Sequence, residues 1–167
     1  DSKLTIHENS NDSKSYYHVD IGFLSGFFGG NLLTTDENVV TLYVPEGQKW
    51  KTANIKSDLG NVLLNDCKFK KGNVQTDSGD IFFKNCDFDD LKVNTDMGNL
   101  CFIGKEAVMC AWNVQIDTDM GNINADDALS GKVVEEEEDG DISYTQKGKG
   151  GNLVIRTDSG DVSLKCR

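Results

Sequence analysis

The hexapeptide TDSGDI at residues 76–81 returns, with small changes, along the second two-thirds of the chain. The copies are SDLGNV at 57–62, TDSGDI at 76–81, TDMGNL at 95–100, TDMGNI at 118–123, EEDGDI at 137–142 and TDSGDV at 157–162. Their central glycines, Gly60, Gly79, Gly98, Gly121, Gly140 and Gly160, follow one another at steps of 19, 19, 23, 19 and 20 residues. A motif that returns at a nearly fixed period is typical of a repeat protein in which each copy adds one structural unit.

Alternating apolar residues flank the hexapeptide on both sides. Upstream, an aliphatic residue precedes the Ser or Thr by two positions at Ile55, Val74, Val93, Ile116 and Ile155. Downstream, apolar residues recur at Val62, Ile81, Leu100, Ile123, Ile142 and Val162, and again two positions later at Leu64, Phe83, Phe102, Ala125, Tyr144 and Leu164. This period of two predicts half-buried strands. The D-x-G-[DN] element between them predicts a turn, because Gly accepts a positive φ and Asp bonds nearby backbone amides.

Two architectures fit a strand–turn–strand repeat. In a β-meander the D-x-G element closes antiparallel hairpins, whereas in a β-solenoid each repeat is one coil and equivalent residues stack about 4.8 Å apart. The same residue types recur at the same position of successive repeats, which favours the solenoid. Cys67 and Cys86 lie 19 residues apart, and a Phe follows each of them two positions later. We therefore predict an all-β fold, a single-stranded β-solenoid (β-helix) of about 19–20-residue repeats over residues 39–167, with an N-terminal β cap in residues 1–38 and one compact domain overall.

Two copies depart from the regular repeat. The 23-residue step inserts about four residues within GKEAVMCAWNVQI at 104–116. Loops on a rigid scaffold often carry function, so Trp112 and Met109 are our candidates for an interaction site; the alternative is that Trp112 packs inward, because it shares the period-two phase of Ile116. In the fifth copy Glu replaces Thr within the acidic run 135–139, and we expect this coil to be bulged or partly detached.

The two ends of the chain lack the repeat. KLTIHE at 3–8 alternates and predicts a strand, while NSNDSKS at 9–15 predicts a polar loop. We expect the glycine-rich, apolar GFLSGFFGGNLL at 22–33 to cap the first coil, the alternative being a loop that contacts a partner or lipid. The chain stops at LKCR (164–167), so we expect an uncapped final coil that is open to a dimer contact. No secretory signal begins at Asp1, so we expect either an intracellular protein or a mature or trimmed chain.

Composition excludes several classes of function. The 167 residues carry 17 Lys and Arg against 28 Asp and Glu, a net charge of −11, which argues against nucleic acid or an anionic membrane as the main partner. No apolar run approaches the roughly 18 residues of a membrane-spanning helix, so we predict no transmembrane segment. Only two histidines occur, which removes most routes to histidine-based catalysis or zinc binding.

Acidic residues share one phase of the repeated turns. Carboxylates about 4.8 Å apart repel by about 0.9 kcal/mol per pair even in water, and calcium between coils would relieve that repulsion. Turn capping explains the same residues, so calcium at Asp77, Asp80, Asp96, Asp158 and Asp161 is the alternative to a chain without metal or cofactor. Paired carboxylates also cleave glycosidic bonds, but acids that repeat in every turn indicate architecture, and we expect neither a catalytic residue nor enzyme activity.

The five cysteines form no C-x-x-C pair. We expect reduced, buried thiols, since free Cys is a common small core residue. The alternative is a disulfide between Cys67 and Cys86, because stacking on adjacent coils would place their Cα atoms near 5 Å, a separation that a disulfide permits.

The chain resembles the putative-adhesin family of bacterial β-strand-repeat proteins, a domain family of unknown function. The likeness rests on VTLYVPEG at 40–47 and on the [ST]-D-x-G-[DN]-[VIL] repeats that follow, and it covers residues 39–167. It implies a β-solenoid that is extracellular or associated with the cell envelope. We therefore expect a non-catalytic cell-envelope scaffold or adhesin-like binding module whose ligand is an unknown protein or glycan at the cell surface. The alternatives are a calcium-stabilised version of this module and a polysaccharide-active β-solenoid enzyme.

Overall fold

A computed structural model describes residues 3–11, 14–21, 49–136 and 140–167 of the chain. Within these residues it has fourteen strands and one short helix. The strands are β1 (Lys3–Asn11), β2 (Lys14–Ile21), β3 (Lys49–Ser57), β4 (Val62–Asn65), β5 (Lys68–Ser78), β6 (Ile81–Lys84), β7 (Asp87–Met97), β8 (Leu100–Gly104), β9 (Asn113–Met120), β10 (Ile123–Ala125), β11 (Lys132–Glu135), β12 (Ile142–Gln146), β13 (Asn152–Ser159) and β14 (Val162–Cys166), and the helix is α1 (Glu106–Met109).

The strands form a long sheet and a short sheet around one core. The long sheet has the order β11-β12-β9-β13-β7-β5-β3-β1-β2, and the short sheet has the order β10-β14-β8-β6-β4. Side chains alternate between buried and exposed along the strands, as in β4 and β6, so each sheet turns one apolar face inward. The buried residues of both sheets belong to a single cluster. This is the all-β, solenoid-like architecture that the repeat predicts.

The first three coils pair in parallel and in register. Lys49 of β3 lies opposite Lys68 of β5, which lies opposite Asp87 of β7, so each coil advances the chain by 19 residues. The short sheet has the same offset between β4, β6 and β8. Equivalent apolar residues therefore stack in buried rows, one of which runs in space through Ile55, Val74, Val93, Ile155 and Ile116.

The coils do not stack in the order of the sequence. β13, from the last repeat, lies between β7 and β9 and pairs in parallel with both. β14 likewise lies between β8 and β10 in the short sheet. The expectation of an uncapped final coil is therefore wrong: the last repeat fills an internal slot, and the dimer contact expected at its open end loses its basis.

The 23-residue step of the repeat makes room for this inserted coil. After β8 the chain passes through α1 and enters β9, which lies two strand positions from β7 instead of one. In the inserted coil, Gly151 directly precedes β13. A Cβ on Gly151 would lie 2.2 Å from the carbonyl oxygen of Phe88. Because no side chain projects from Gly151, the ring of Trp112 reaches Phe88, and their centroids lie 4.7 Å apart.

The fifth copy of the hexapeptide leaves the solenoid. Gly140 has a φ of +76° and its N–H donates to the carbonyl of Glu136 at 3.1 Å, closing an antiparallel hairpin between β11 and β12. β12 in turn pairs antiparallel with β9. Antiparallel pairing of β11 with β12 is the hairpin arrangement of the meander alternative, and these two strands flank the fifth copy where we expected a departure from the regular coils.

The N-terminal strands extend the long sheet beyond the short one. β1 pairs in parallel with β3, and β2 folds back antiparallel to β1 at the sheet edge. The strand predicted at 3–8 is present, but most of the polar loop predicted at 9–15 is also strand. The cap segment at 22–33, the boundary after residue 38 and the VTLYVPEG segment at 40–47 lie outside the described residues.

Charge complementarity contributes to the register between the second and third coils. β5 begins with K-F-K-K at 68–71 and β7 begins with D-F-D-D at 87–90. The register places Lys71 directly opposite Asp90, as it places the first Lys opposite the first Asp. Opposite charges across paired strands contribute roughly 0.2–1 kcal/mol per pair, and a one-residue slip would lose both pairs.

Candidate functional site: turn edge and outer face

The turn edge is the row of stacked hexapeptide turns that joins the long sheet to the short sheet. Its glycines Gly79, Gly98, Gly160 and Gly121 have φ between +148° and +152°. A Cβ on Gly98 would lie 2.2 Å from the carbonyl oxygen of Gly79, and a Cβ on Gly160 would lie 2.0 Å from that of Gly98. Backbone packs directly on backbone here, so a side chain at these positions would force neighbouring coils apart.

The residues that follow these glycines form a second row, which we call the amide–carboxylate ladder. In spatial order it runs Asn61, Asp80, Asn99, Asp161 and Asn122. Each side-chain Oδ1 accepts the backbone N–H of the next ladder residue, at 2.8, 2.8, 3.0 and 2.8 Å in that order. The side-chain amides of Asn99 and Asn122 also donate to the aspartates before them, at 3.2 and 3.1 Å.

Asn and Asp alternate strictly along the ladder, and the inserted coil creates this alternation. In sequence order Asn99 would neighbour Asn122, whereas in space Asp161 lies between them. Each ladder carboxylate thus lies between two amide side chains and accepts two charge-assisted hydrogen bonds at Oδ1. The arrangement separates the carboxylates by two coil spacings and stabilises them without a cation.

The first aspartate of each turn forms the acidic row, in the spatial order Asp58, Asp77, Asp96, Asp158 and Asp119. All except the first are exposed. Lys56 Nζ lies 3.7 Å from Asp58 Oδ1. Water and splayed side chains weaken repulsion along such an exposed row.

Calcium gains no support from these two rows. Among the calcium candidates, Asp80 and Asp161 are engaged in the ladder, while Asp77, Asp96 and Asp158 are exposed in the acidic row. Within the part of the chain that the structure describes, no group of three or more His, Cys, Asp and Glu side chains is arranged to hold a metal ion. Asp80 and Asp161 accept hydrogen bonds from neighbouring coils, and calcium at the exposed Asp77, Asp96 and Asp158 stays an untested alternative.

A buried row of threonines lies directly behind the turn edge. In spatial order it contains Thr76, Thr95, Thr157 and Thr118, which are at most 2% exposed. Their hydroxyl oxygens have no hydrogen-bond partner among the described residues. At the first coil Ser57 takes this place, and its Oγ accepts the N–H of Gly60 at 2.8 Å. An unpaired buried hydroxyl costs about 1–3 kcal/mol, so this row is a poorly satisfied part of the core.

The outer face of the long sheet carries a concentration of side-chain amides, which we call the amide face. Its members lie on five adjacent parallel strands: Asn54, Asn73, Gln75, Asn94, Gln115, Asn113 and Asn152. They alternate with buried residues and therefore point away from the core. Asn113 Nδ2 donates to Asn152 Oδ1 at 3.1 Å, and Asn152 Nδ2 donates to Asp90 Oδ1 at 2.7 Å. Five strands make a flat polar surface about 19 Å across.

The insertion around α1 buries two of its large side chains in the core, while residues 105–108 are exposed. Met109 and Trp112 are 1% and 5% exposed. Their carbonyl oxygens accept hydrogen bonds from the buried Gln146 side-chain amide at 2.8 and 3.1 Å. The structure therefore shows the inward-packing alternative for Trp112, and neither side chain lies at the surface, as the interaction hypothesis requires.

The cysteines lie at coil corners, on the short sheet and, in the case of Cys110, directly after α1. Cys67 and Cys86 each follow a corner residue with a φ of +54°, Asp66 and Asn85 respectively. The N–H of Asp87 donates to the carbonyl of Cys67 at 3.0 Å, so the two corners stack in register. Cys86 is buried, and the remaining four cysteines are half-buried.

The parallel coils and the uniform turn edge define an all-β, solenoid-like repeat domain. The family model described as Toastrack DUF4097 matches residues 1–167, and the chain belongs to that family. The resemblance to a putative-adhesin family of unknown function is thereby confirmed.

Comparison with solved structures gives a distant similarity. A crystal structure described as that of a putative cell adhesion protein from Clostridium sporogenes ATCC 15579 is 15% identical, with a TM-score of 0.40, over 99% of this chain and 88% of that chain. Comparison with curated proteins gives no match. In the described part of the chain, no helix has the length and apolar character needed to cross a bilayer.

Proposed function

We propose that this chain is a non-catalytic scaffold or binding module of the bacterial cell envelope, and that the amide face binds an extended glycan. The amide face is the observation that carries the proposal. Amide side chains both donate and accept hydrogen bonds, and so do the hydroxyl groups of a sugar. A flat array of such groups suits a polymer whose sugars repeat along its length.

The charge distribution also favours a polar, uncharged ligand on this face. Lys56, Lys71, Lys92 and Arg156 lie on it with Asp90 and Asp117, so both signs are present. A continuous row of aspartates lies instead on the turn edge, in the acidic row. A ligand on the amide face therefore avoids the charge of −11 that the chain carries as a whole.

The uniformity of the rows supports a role without catalysis. Glycosidic cleavage requires two carboxyl groups in different environments, one of which is held protonated. The aspartates of the ladder and the acidic row repeat one environment from coil to coil. Such repetition is suited to display on a stiff stack of coils.

The test is retention on insoluble peptidoglycan and on a panel of immobilised bacterial surface polysaccharides. Asn73→Ala/Gln75→Ala removes two exposed amides from the centre of the face, and Asn124→Ala/Ser163→Ala is the matched control on the outer face of the short sheet. Each lost hydrogen bond is worth about 0.5–1.5 kcal/mol, so we expect the first variant to bind several-fold to more than tenfold more weakly and the control to bind like the parent.

Three results would overturn the proposal. Equal weakening by both double variants would place the binding surface elsewhere, and release of new reducing ends from any of the polysaccharides would favour the enzyme. Retention on a protein coat alone, unchanged by either variant, would assign the ligand to another class. Neither variant changes a buried residue, so their stabilities should stay within about 0.5 kcal/mol of the parent.

A further inference from the structure

The corner that carries Cys67 and Cys86 is the strongest unassigned cluster of reactive groups in the described chain. Register pairing of β5 with β7 begins at Lys68 and Asp87, one residue after each cysteine. Two in-register neighbours on parallel strands have Cα atoms about 4.8 Å apart, within the 4.4–6.8 Å that disulfides span. The left-handed corner residue before each cysteine repeats the same backbone path, so both side chains leave their coils in the same direction.

Hydrogen bonds hold the two corners together. Asn85 Nδ2 donates to Asp66 Oδ1 at 2.8 Å, and the guanidinium of Arg167 donates to Asn85 Oδ1. The Sγ atom of Cys86 lies 3.5 Å from the carbonyl oxygen of Leu64, on the coil that carries its partner. A pair fixed in this way loses little further freedom when its sulfur atoms are joined.

We propose that Cys67 and Cys86 form a reactive dithiol that exchanges with low-molecular-weight disulfides and closes into a disulfide between the first and second coils. Cys67 is the attacking thiol and Cys86 is the resolving thiol. The difference in exposure sets these roles, because Cys67 is half-buried whereas Cys86 is only 6% exposed.

Electrostatics agree with the roles that geometry assigns. The neighbouring Cys86 thiol has the largest effect on the pKa of Cys67 and lowers it, which favours the Cys67 thiolate. The neighbouring Cys67 thiol, followed by burial, raises the pKa of Cys86. An accessible thiol of lowered pKa beside a resolving thiol is the arrangement found in redox-sensitive sites.

The reaction takes two exchange steps. The Cys67 thiol releases its proton to water, and its sulfur attacks one sulfur of the low-molecular-weight disulfide, forming a mixed disulfide and expelling one thiolate. Cys67 then no longer carries the charge that raises the pKa of Cys86. The Cys86 thiol releases its proton, its sulfur attacks Cys67 Sγ, and a second thiolate leaves. The protein loses two hydrogen atoms, and the disulfide reagent is reduced to two thiols.

Oxidised glutathione is the probe, and peptide mapping is the readout. Trypsin places Cys67 in residues 57–68 and Cys86 in residues 85–92, so the product is a linked peptide pair that mass spectrometry identifies directly. The closed loop also restricts the unfolded chain, and we expect the melting midpoint to rise by several degrees, on the order expected for a loop of this size. Dithiothreitol should reverse both changes.

Variants separate the steps. In Cys86→Ser the reaction should stop at a glutathione adduct on Cys67. In Cys67→Ser neither position should react. Cys101→Ser should react like the parent, since Cys101 pairs with Phe82 and Ser163 rather than with a cysteine. The parent chain alone tests whether the disulfide forms. Glutathione adducts without the linked peptide pair would overturn the proposal. A stable adduct on Cys86 in Cys67→Ser would overturn the assignment of roles.

Discussion

Gly98→Ala is the substitution that most directly probes the packing of the turn edge. Gly98 lies in the middle of the glycine stack, between Gly79 and Gly160. Its φ of +148° is rare for a residue with a side chain. A Cβ at this position would meet the Gly79 carbonyl oxygen at 2.2 Å, and that oxygen belongs to backbone that cannot rotate away.

The cost of Gly98→Ala follows from two contributions. Holding alanine in a sparsely populated backbone conformation costs about 1–3 kcal/mol. Relief of the overlap requires separation of the coils, which threatens the hydrogen bonds from Gly79 N to Met97 O (2.9 Å) and from Gly98 N to Ser159 O (3.0 Å), at about 1 kcal/mol each. We therefore expect a loss of about 3–5 kcal/mol, a large share of the stability of an ordinary domain.

Gly140→Ala is the matched control. Gly140 also has a positive φ, of +76°, but none of the described residues lies within 4 Å of a Cβ built there. Only the backbone cost of about 1–2 kcal/mol applies. Urea unfolding followed by circular dichroism measures both variants, and similar slopes with different midpoints would report a change in stability alone. If Gly98→Ala costs no more than Gly140→Ala, the account of backbone-on-backbone packing is refuted.

Three further outcomes follow from the rows behind and beside this stack. Asn99→Asp would place three carboxylates in succession along the ladder, adding two repulsive pairs of about 0.9 kcal/mol each in water. We expect the free energy of unfolding to fall by about 2 kcal/mol, and by less at high salt. A loss that does not depend on salt would contradict the ladder. Thr95→Val removes a buried hydroxyl without a partner, so the unfolding free energy should stay equal or rise by about 1 kcal/mol, whereas a clear loss would reveal a hidden partner. Thermal melts in millimolar calcium and in excess chelator should coincide, because Asp80 and Asp161 are already hydrogen-bonded; a calcium-dependent rise would restore the ion site.

The burial of Tyr144 predicts how the stability of the fold changes at high pH. Burial raises the pKa of the Tyr144 hydroxyl above its usual value of 10.0. The folded state therefore holds its proton more tightly than the unfolded state, and this contribution is complete below pH 10 and is lost as the pH rises through the folded pKa. The melting midpoint should fall more steeply above pH 10 in the parent than in Tyr144→Phe, and equal slopes would contradict the assignment.

The sequence predicts which residues form the buried rows, because residues one repeat apart occupy equivalent positions in stacked coils. Ile55, Val74 and Val93 share a phase in the sequence and lie side by side in the long sheet. Glycine and aspartate at fixed positions predict the turn, since Gly readily adopts a positive φ and Asp readily bonds nearby backbone amides. These features are local to one repeat, and local features can be inferred from a single chain.

The spatial order of the coils is harder to predict, because two similar repeats could each pair with the same neighbouring strand. Ile116 and Ile155 have the same side chain at the same phase, so the apolar pattern fits Val93 equally well with either one. Two signals in the sequence point to the insertion: the long step at 104–116 and the order of Asn and Asp after the glycines, which alternates only when Asp161 enters between Asn99 and Asn122. The insertion, where we predicted an interaction site, reconnects the coils and carries the side chains of Met109 and Trp112 into the core.

Methyl NOE measurements on a chain labelled at Ile, Leu and Val test the inserted coil most directly. Ile155 lies opposite Val93 on one side and opposite Ile116 on the other. We predict NOEs from the Ile155 methyl groups to both residues and none between Val93 and Ile116, whose backbones lie two strand spacings, or about 9.6 Å, apart. Direct NOEs between Val93 and Ile116, with none from Ile155 to Val93, would show that the coils follow sequence order and would contradict the fold described for the last repeat.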